Sequence, residues 1–367
     1  TRLAMGETET AYRELEKIAS TDSGTRADLA LIASQLRNRK FDQALKSIDV
    51  LEKKQPEDPL ADNLRGLALL GKGKQADARK SFEKALQKNP AFVPAAANLA
   101  RLDLADKKPD EAKKRFESVL AKDATNTQAM LALAELQARS GGKPEEVLTL
   151  INKAVAAKPT DVQSRLALIN FYLNTKEPKK AAVAAQEAQG AIPDNPALLD
   201  AEGRALQVAG DYNQALSVYG RLASLLPNAV QPYLRMAEIH LAAKDKEAAM
   251  QNLRKAMSIK PDSIEAQRAT MMLDLDAGRI SEAIATARNV QKQDPKSPAG
   301  YLLEGDAYAV SKSWKDAVVT YRNGIKQTGA KELAIRLYAA LSAQNQAGEA
   351  DKFADSWLKD HPDDQAF

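Results

Sequence analysis

The chain has 367 residues, of which 44% are apolar and 28% charged, and this excludes a disordered tail because enough apolar surface is available for a core. It contains no cysteine and two histidines, which excludes disulfides, thiolate metal sites and a histidine-rich metal centre. The net charge of +4 arises from 53 basic and 49 acidic residues, unlike the concentrated positive charge of a nucleic-acid-binding protein. No apolar run reaches the roughly 18–20 residues of a transmembrane helix. We therefore expect no nucleic-acid partner, and membrane association only through an anchor outside this chain.

The first stretch, residues 1–24, reads as the end of a helical unit, because Tyr12, Leu15 and Ile18 fall on one helical face. It begins with neither an initiator methionine nor a basic and apolar targeting segment. We therefore expect that the chain is part of a longer array, or that a targeting segment has been removed upstream.

From residue 25 onward, loop prolines recur at a fixed spacing. Successive prolines are 34 residues apart, except for one gap of 69 residues that is bridged by Ala124. The prolines are Pro56, Pro90, Pro159, Pro193, Pro227, Pro261 and Pro295. A period held over this length indicates a repeat protein.

Within each period, small and large residues also recur in register. One small position is occupied by Ala44, Ala78, Ala112, Ala181, Ala215, Ala249, Ala283 and Ala317. A bulky position follows it, with Ile48, Phe82, Phe116, Tyr219, Leu253 and Tyr321. An earlier small position holds Gly66, Ala100, Ala134, Gly203, Ala237 and Gly305. Two antiparallel helices approach closely only where side chains are small, and large residues fill the groove beside them, so the pattern predicts an all-α chain of helix pairs.

The spacing divides the chain into ten units. They are predicted at 25–58, 59–92, 93–126, 127–161, 162–195, 196–229, 230–263, 264–297, 298–331 and 332–364, followed by a tail at 365–367. The fourth unit has one extra residue, which we place in the Gly141-Gly142 turn. Thr270-Met271 breaks the small-residue rule, which predicts a wider spacing in that pair. Trp357 stands where a small residue is expected, so it either seals the end of the stack or contacts another molecule in an end-to-end self-association.

This succession of small residue, aromatic residue, alanine and proline resembles the tetratricopeptide repeat (TPR). The resemblance implies a right-handed TPR superhelix, an α-solenoid of about ten helix-turn-helix repeats whose neighbours bury one another's apolar faces. It also implies that the first helices of the pairs line a concave groove for a partner protein or peptide.

The resemblance can be carried over by repeat position to the residues that would line this groove. They are Leu67, Leu70, Arg101, Leu104, Leu131, Glu135, Arg139, Leu166, Asn170, Leu173, Asn174, Asp200, Arg204, Leu234, Glu238, Arg268 and Arg336. The other interpretation is that the leucines pack between adjacent first helices. Asn170 and Asn174 are suited to pair with a peptide backbone. Leu166 stands where the family's carboxylate clamp needs a lysine, so we do not expect a chaperone C-terminus as the ligand.

The sequence predicts no catalytic, metal or cofactor site, and therefore no enzyme. The stretch from Gly66 to Gly73 nearly matches a phosphate-binding loop, but it lacks the Ser or Thr that would hold magnesium. The stretch from Asp274 to Gly278 suggests a calcium loop, but its glycine comes one residue early. His240 is expected to be a packed, hydrogen-bonded histidine rather than a general base, because no motif places a nucleophile beside it.

Several segments look like those of the long TPR-repeat lipoproteins encoded beside exosortase, PEP-CTERM sorting and exopolysaccharide genes in Gram-negative bacteria. They are Leu67-Ala68-Leu69-Leu70-Gly71, Lys84-Ala85-Leu86-Gln87-Lys88-Asn89-Pro90, Leu133-Ala134-Glu135-Leu136 and Trp357-Leu358-Lys359-Asp360-His361-Pro362. This resemblance implies a periplasmic or membrane-anchored scaffold. Two other functions stay open: a regulatory TPR arm of a multidomain enzyme such as a glycosyltransferase, and a polysaccharide-binding module.

Overall fold

The computed structural model describes residues 15, 17–18, 24–364 and 366–367. Across these residues it contains twenty α-helices and no strand, which confirms the all-α prediction. The helices are α1 (Arg26–Arg37), α2 (Phe41–Lys54), α3 (Pro59–Gly71), α4 (Gln75–Lys88), α5 (Val93–Ala105), α6 (Pro109–Lys122), α7 (Thr127–Arg139), α8 (Pro144–Ala157), α9 (Val162–Asn174), α10 (Pro178–Ala191), α11 (Pro196–Ala209), α12 (Tyr212–Leu225), α13 (Gln231–Ala242), α14 (Lys246–Ile259), α15 (Ile264–Asp276), α16 (Ile280–Gln293), α17 (Ala299–Val310), α18 (Trp314–Thr328), α19 (Lys331–Ala343) and α20 (Ala347–Asp360). The helix predicted for residues 1–24 lies mostly outside the described residues and stays a prediction.

Each odd-numbered helix is the first helix of a pair and is joined to its second helix by a short turn with one left-handed residue. These residues are Arg39, Gly73, Lys107, Gly141, Lys176, Gly210, Lys244, Gly278, Lys312 and Asn345. They recur every 34 residues, except that the step after Gly141 is one residue longer and the step after Lys312 is one shorter. The extra residue of the fourth pair therefore lies in the turn formed by residues 140–143. Because L side chains rarely adopt positive φ, glycine relieves the strain at Gly73 and Gly141.

The helices form two compact units. The first comprises the described residues up to Glu177 together with Gly190–Ile192, and so contains α1–α9. The second comprises Pro178–Gln189 and Pro193–Phe367, and so contains α11–α20 and most of α10. In both units, second helices other than α10 pack on their own first helix and on the first helix of the next pair, as α4 does on α3 and α5 and α18 does on α17 and α19. Each pair thus covers the apolar side of its neighbour, because a single pair cannot bury its own apolar side.

The alanine that recurs early in the second helices is part of the core in both units. All eight alanines predicted from the sequence have an exposure of 0%: Ala44, Ala78, Ala112, Ala181, Ala215, Ala249, Ala283 and Ala317. The fourth and tenth pairs have Val147 and Ala350 at this position, and both are buried. The position tolerates little volume because the helices meet there.

A glycine of the first helix lies against the ring of the second helix in three pairs. A Cβ atom added to Gly66 would lie 2.3 Å from Cε1 of Phe82, and one added to Gly305 would lie 2.1 Å from Cε1 of Tyr321. The third such pair is Gly203 with Tyr219. The rings are fully buried, so the glycines provide the space that the rings occupy.

In the eighth pair the large side chain lies on the first helix and the small one on the second helix. Met271 of α15 stands at the position of the glycines, is 3% exposed, and packs in one core cluster with Ala283 and Ala287 of α16. Ala287 occupies the position that is aromatic in other pairs. The wider spacing expected from Thr270-Met271 is not required, because the small side chain on α16 leaves room for the large one on α15.

Trp357 seals the last helix pair from within. Its side chain is buried, its Nε1 donates a hydrogen bond of 3.0 Å to Oδ2 of Asp364, and its ring stacks on His361 at 3.9 Å. Phe367 packs its ring near those of Trp357 and Phe353. The end-to-end self-association expected from the sequence stays a prediction.

Replacing Gly305 with alanine is expected to destabilise the protein. The new methyl group would overlap the buried Tyr321 ring, which costs about 1–3 kcal/mol and outweighs the gain in helix propensity of about 1 kcal/mol. Gly220 is the matched control, since it lies inside α12 and an added Cβ would meet no atom within 4 Å. Thermal unfolding should show a lower midpoint for Gly305→Ala and an unchanged or higher one for Gly220→Ala. Equal shifts in the two variants would contradict this packing.

Candidate partner-binding surface

The first unit has a groove between the first helices of two successive pairs, α7 and α9, with α8 at its floor. We call it the α7–α9 groove; its volume is about 460 Å³. Its lining consists of Leu131, Ala134, Glu135, Ala138, Val147, Ile151, Gln163, Leu166, Ala167, Asn170, Phe171 and Asn174. Val147 and Ile151 belong to α8 and are buried, so the floor is apolar. The polar members, Glu135, Gln163, Asn170 and Asn174, come from the two first helices, so polar side chains flank an apolar floor.

Local sequence fixes where these helices begin. Asn126 caps α7 by accepting a hydrogen bond of 3.0 Å from the backbone N–H of Ala129. Asp161 caps α9 by accepting hydrogen bonds from the backbone N–H and the hydroxyl of Ser164, at 2.9 and 2.6 Å. Pro144 stands at the first position of α8, where its missing N–H costs nothing. These caps set the rotation and start of the helices that carry the groove side chains.

The groove continues toward the N-terminal ends of α7 and α9. A second depression of about 420 Å³ shares Leu131 and Gln163 with it and includes Gln128, Lys158 and Asp161. From Gln128 to Ala138, a rise of about 1.5 Å per residue gives a surface about 15 Å long. That length matches a peptide of about five extended residues, or about three turns of a helix.

The same groove occurs in the second unit at the same repeat positions. Here α13 and α15 form the walls and α14 the floor, around a volume of about 290 Å³. This α13–α15 groove is lined by Gln231, Leu234, Arg235, Ala237, Glu238, Leu241, Leu253, Glu265 and Ala269. Leu234, Glu238 and Leu253 occupy the repeat positions of Leu131, Glu135 and Ile151. The groove is therefore a property of the repeat.

The two grooves differ in charge. In the α13–α15 groove, Nη1 of Arg235 lies 2.9 Å from Oε2 of Glu238, and Glu265 adds an exposed carboxylate. Burial alone would lower the pKa of the Arg235 guanidinium, but the hydrogen bond to Glu238 raises it above its usual value. In the α7–α9 groove the only charged lining residue is Glu135, which is exposed and lies 3.7 Å from Arg139. The α7–α9 groove thus has the less charged lining.

The structure brings together five of the groove residues predicted from the sequence in the α7–α9 groove. They are Leu131, Glu135, Leu166, Asn170 and Asn174. Leu234 and Glu238 lie together in the α13–α15 groove, where Leu234 is buried in the core and exposes little side chain. Arg139 reaches Glu135 at the mouth of the first groove.

The other predicted groove residues lie outside both grooves. Leu67 and Leu70 pack on the core cluster around Phe82, which matches the interpretation that leucines pack between helices. The charged ones pair locally: Arg204 with Asp200 at 3.2 Å and Arg336 with Asp306 at 3.4 Å. Arg101 donates a hydrogen bond of 2.9 Å to Asn98. Leu104 and Arg268 are exposed and Leu173 is half-buried.

Sequence reasoning missed the floor of the groove and several small residues on its walls. Val147 and Ile151 were missed because groove residues were carried over only from first helices. Ala134 was missed because its position was not among those carried over, whereas Ala138 stands at the repeat position of Leu70 and Leu104 but was not named with them. The signal in the sequence that could have located the groove floor is Val147, a valine at the position where the other pairs have alanine.

Other sequence hints for chemistry take ordinary structural roles. Gly66 and Gly71 lie within α3, and Gly73 forms the turn after it, so the glycine-rich stretch is helical rather than a phosphate loop. Asp274 pairs with Arg279 at 2.8 Å. His240 is half-buried, with its Nδ1 3.8 Å from Oδ2 of Asp245. No cluster of three or more His, Asp or Glu side chains suited to a metal occurs among the described residues. Within that same part of the chain, none of the helices has the length and apolarity to span a bilayer.

Comparison with known families identifies the repeat. A tetratricopeptide repeat model matches residues 29–91, 98–162 and 272–332, together more than half of the chain. A second tetratricopeptide repeat model matches residues 69–114 and 208–273. The chain belongs to the tetratricopeptide-repeat family.

Individual relatives are distant. A chloroplastic pentatricopeptide repeat-containing protein of Arabidopsis thaliana is 29% identical over 192 residues, which are 50% of this chain and 22% of that protein. The CTR9 homolog of the same plant is 22% identical over 350 residues, 87% of this chain and 32% of its own length. The chain thus spans no more than about a third of either relative. The crystal structure of yeast Tom70 aligns with 96% of this chain and 88% of its own, at 13% identity and a TM-score of 0.47.

Removing the cap of α9 is expected to loosen the α7–α9 groove. Asp161→Ala deletes the hydrogen bonds to Ser164 and should cost about 1 kcal/mol of stability, with faster hydrogen exchange in the first turn of α9. Asp211→Ala is the matched control, because Asp211 precedes α12 without making a side-chain cap. Hydrogen exchange by mass spectrometry separates the two variants. Unchanged exchange at residues 162–165 in Asp161→Ala would show that the cap does not hold this helix.

Proposed function

We propose that the chain is a non-enzymatic protein–protein interaction scaffold that holds a helix or peptide of its partner in the α7–α9 groove. The observation that carries the proposal is the combination of an apolar floor with amide side chains on the α9 wall, Gln163, Asn170 and Asn174, and a carboxylate, Glu135, on the α7 wall. Burial of apolar surface supplies most of the free energy in such complexes, and polar groups fix the orientation of the ligand.

The lining favours a partner segment with apolar side chains and few charges. Leu131, Leu166 and Phe171 offer aliphatic and aromatic contact area, about 25 cal/mol for each Å² removed from water. Asn174 at the C-terminal end of α9 and Gln163 near its N-terminal end each provide a donor and an acceptor for backbone groups of the partner. An extended segment or an amphipathic helix satisfies both requirements.

Charges at the mouth of the groove contribute orientation rather than affinity. Glu135 and Arg139 are both strongly exposed, so their interaction with a partner is screened by solvent. Their placement one helical turn apart favours a partner with a base and an acid at matching spacing.

We further propose that the partner belongs to an envelope sorting or exopolysaccharide export system and that the chain works in the periplasm or at a membrane through an anchor outside it. The support for this assignment is the resemblance of segments such as Leu67–Gly71 and Trp357–Pro362 to TPR-repeat lipoproteins of such systems. End-to-end self-association through the pair α19–α20 is a separate proposal, supported by the aromatic residues gathered there.

The groove assignment is tested by a substitution that places an arginine side chain in the groove. Ala138 is exposed and lines the groove, so Ala138→Arg should leave the fold intact and block the apolar floor. Partners retained from an envelope extract by the immobilised chain should fall about tenfold, as expected for the loss of one or two kcal/mol of contact. Val208→Arg is the control, since Val208 is 64% exposed in α11 and lies in neither groove.

Equal retention by Ala138→Arg and the unaltered chain would sink the groove assignment. Retention that is lost in Val208→Arg as well would point to a surface outside the groove. The identity of the retained proteins tests the envelope proposal independently, because cytoplasmic partners alone would contradict it.

A further inference from the structure

One buried polar contact joins a second helix to the next first helix in the second unit. Glu304 of α17 is 7% exposed and accepts a hydrogen bond of 2.8 Å from Nε of Arg288. Its other carboxylate oxygen accepts one of 2.5 Å from Nε2 of Gln291. Both donors belong to α16. We call this three-residue arrangement a clasp.

The first unit has a clasp at the same three repeat positions with the charges reversed. Here the first helix supplies the base, Arg65 of α3, and the second helix supplies the acids, Asp49 and Glu52 of α2. Nη1 of Arg65 lies 2.8 Å from Oδ1 of Asp49, and Nη2 lies 2.6 Å from Oε2 of Glu52. The repeat position thus tolerates charge when the neighbouring helix supplies the opposite charge, as buried ionic groups require.

A third set of polar residues at these positions lacks the matching charge. Three 34-residue periods before Arg288, Gln291 and Glu304 stand Gln186, Gln189 and Glu202, all within the second unit. The side chain of Glu202 is 8% exposed and, within the described part of the chain, has neither a hydrogen bond nor an ion pair. Both amide atoms of Gln189 are buried, again without a hydrogen-bond partner in the described residues. Gln186, at the position of Arg288, is exposed and carries no charge.

Arg221, whose charge acts on Glu202, does not close this clasp. Burial raises the pKa of the Glu202 carboxyl, and the charge of Arg221 opposes only part of that effect. The guanidinium of Arg221 is instead bound by Asp194, with Nε and Nη2 each 2.7 Å from Oδ1. The buried amide of Gln189 destabilises the folded chain because it has no partner among the described residues, and a group in this state requires an explanation, of which an absent ligand is one.

We infer that Glu202 and Gln189 form a binding site for a guanidinium group of a partner protein, which takes the place that Arg288 fills in the closed clasp. Gln186, at the position of Arg288, is exposed, so a partner's arginine can approach there, and its N–H groups match carboxylate oxygens. The site lies in α10 and α11, so it is independent of the α7–α9 groove. The inference predicts a partner protein that presents an exposed arginine to α10 and α11.

The probe is N-acetyl-L-arginine amide, titrated against the full chain while the side-chain amide resonance of Gln189 is followed by NMR. Saturable shifts are expected for the arginine compound. N-acetyl-L-citrulline amide, which has nearly the same shape without the charge, should bind about tenfold more weakly or not at all.

Two variants and one control locate the response. Glu202→Gln keeps the shape and removes the charge, so the affinity for the arginine compound should fall about tenfold or more. Gln186→Arg supplies an internal guanidinium, so the shifts should vanish and the midpoint of thermal unfolding should rise. Glu111→Gln removes an exposed carboxylate that lies in neither groove and should leave the titration unchanged.

Three results would overturn the inference: no shift with the arginine compound, equal affinity for the citrulline compound, or an undiminished response in Glu202→Gln. Because none of these measurements involves Ala138, failure here leaves the groove proposal standing. Failure of the groove test likewise leaves this site standing.

Discussion

The structure depends on one contact that recurs in several helix pairs, in which a small side chain of one helix receives a large side chain of the other. Gly66 with Phe82 and Gly305 with Tyr321 show the limiting case, where the ring occupies the volume of an absent methyl group. The buried alanine four residues before the ring brings the two helices together at the same level. Because interiors are close-packed, this contact fixes the distance within a pair and the face that the pair offers to the next one.

Variation at the other junction, between a second helix and the next first helix, gives the chain its different surfaces. Around Ile151 the junction is apolar and opens into a groove. At Arg65 and Glu304 it is closed by opposite charges, and at Glu202 a carboxyl stands without one. The packing within pairs holds the fold, so the junctions are free to differ. We therefore propose that binding specificity in this chain depends on the junctions rather than on the positions that define the family.

The sequence predicts the period, the helix class and the buried alanines, because these follow from residue size recurring at fixed spacing. It fails where the meaning of a residue depends on a partner helix. Met271 looks like a violation until Ala287 is seen beside it, since the two have exchanged volumes. Leu67 was carried over to the groove by its repeat position, and in the structure its partly buried side chain packs against the core cluster around Phe82. The burial of Glu202, next to the small-residue position Gly203, becomes evident only from the structure.

The exchange of volume between Met271 and Ala287 offers the most direct test of the packing contact. We expect Met271→Ala to lower the free energy of unfolding by about 2–5 kcal/mol and Ala287→Met by about 1–3 kcal/mol. Combining them returns a large side chain to α16 and a small one to α15, so denaturant unfolding of the double variant should show a loss at least about 1 kcal/mol smaller than the sum. Losses that add to within about 0.5 kcal/mol would show that the two positions do not share one volume, and would contradict the account.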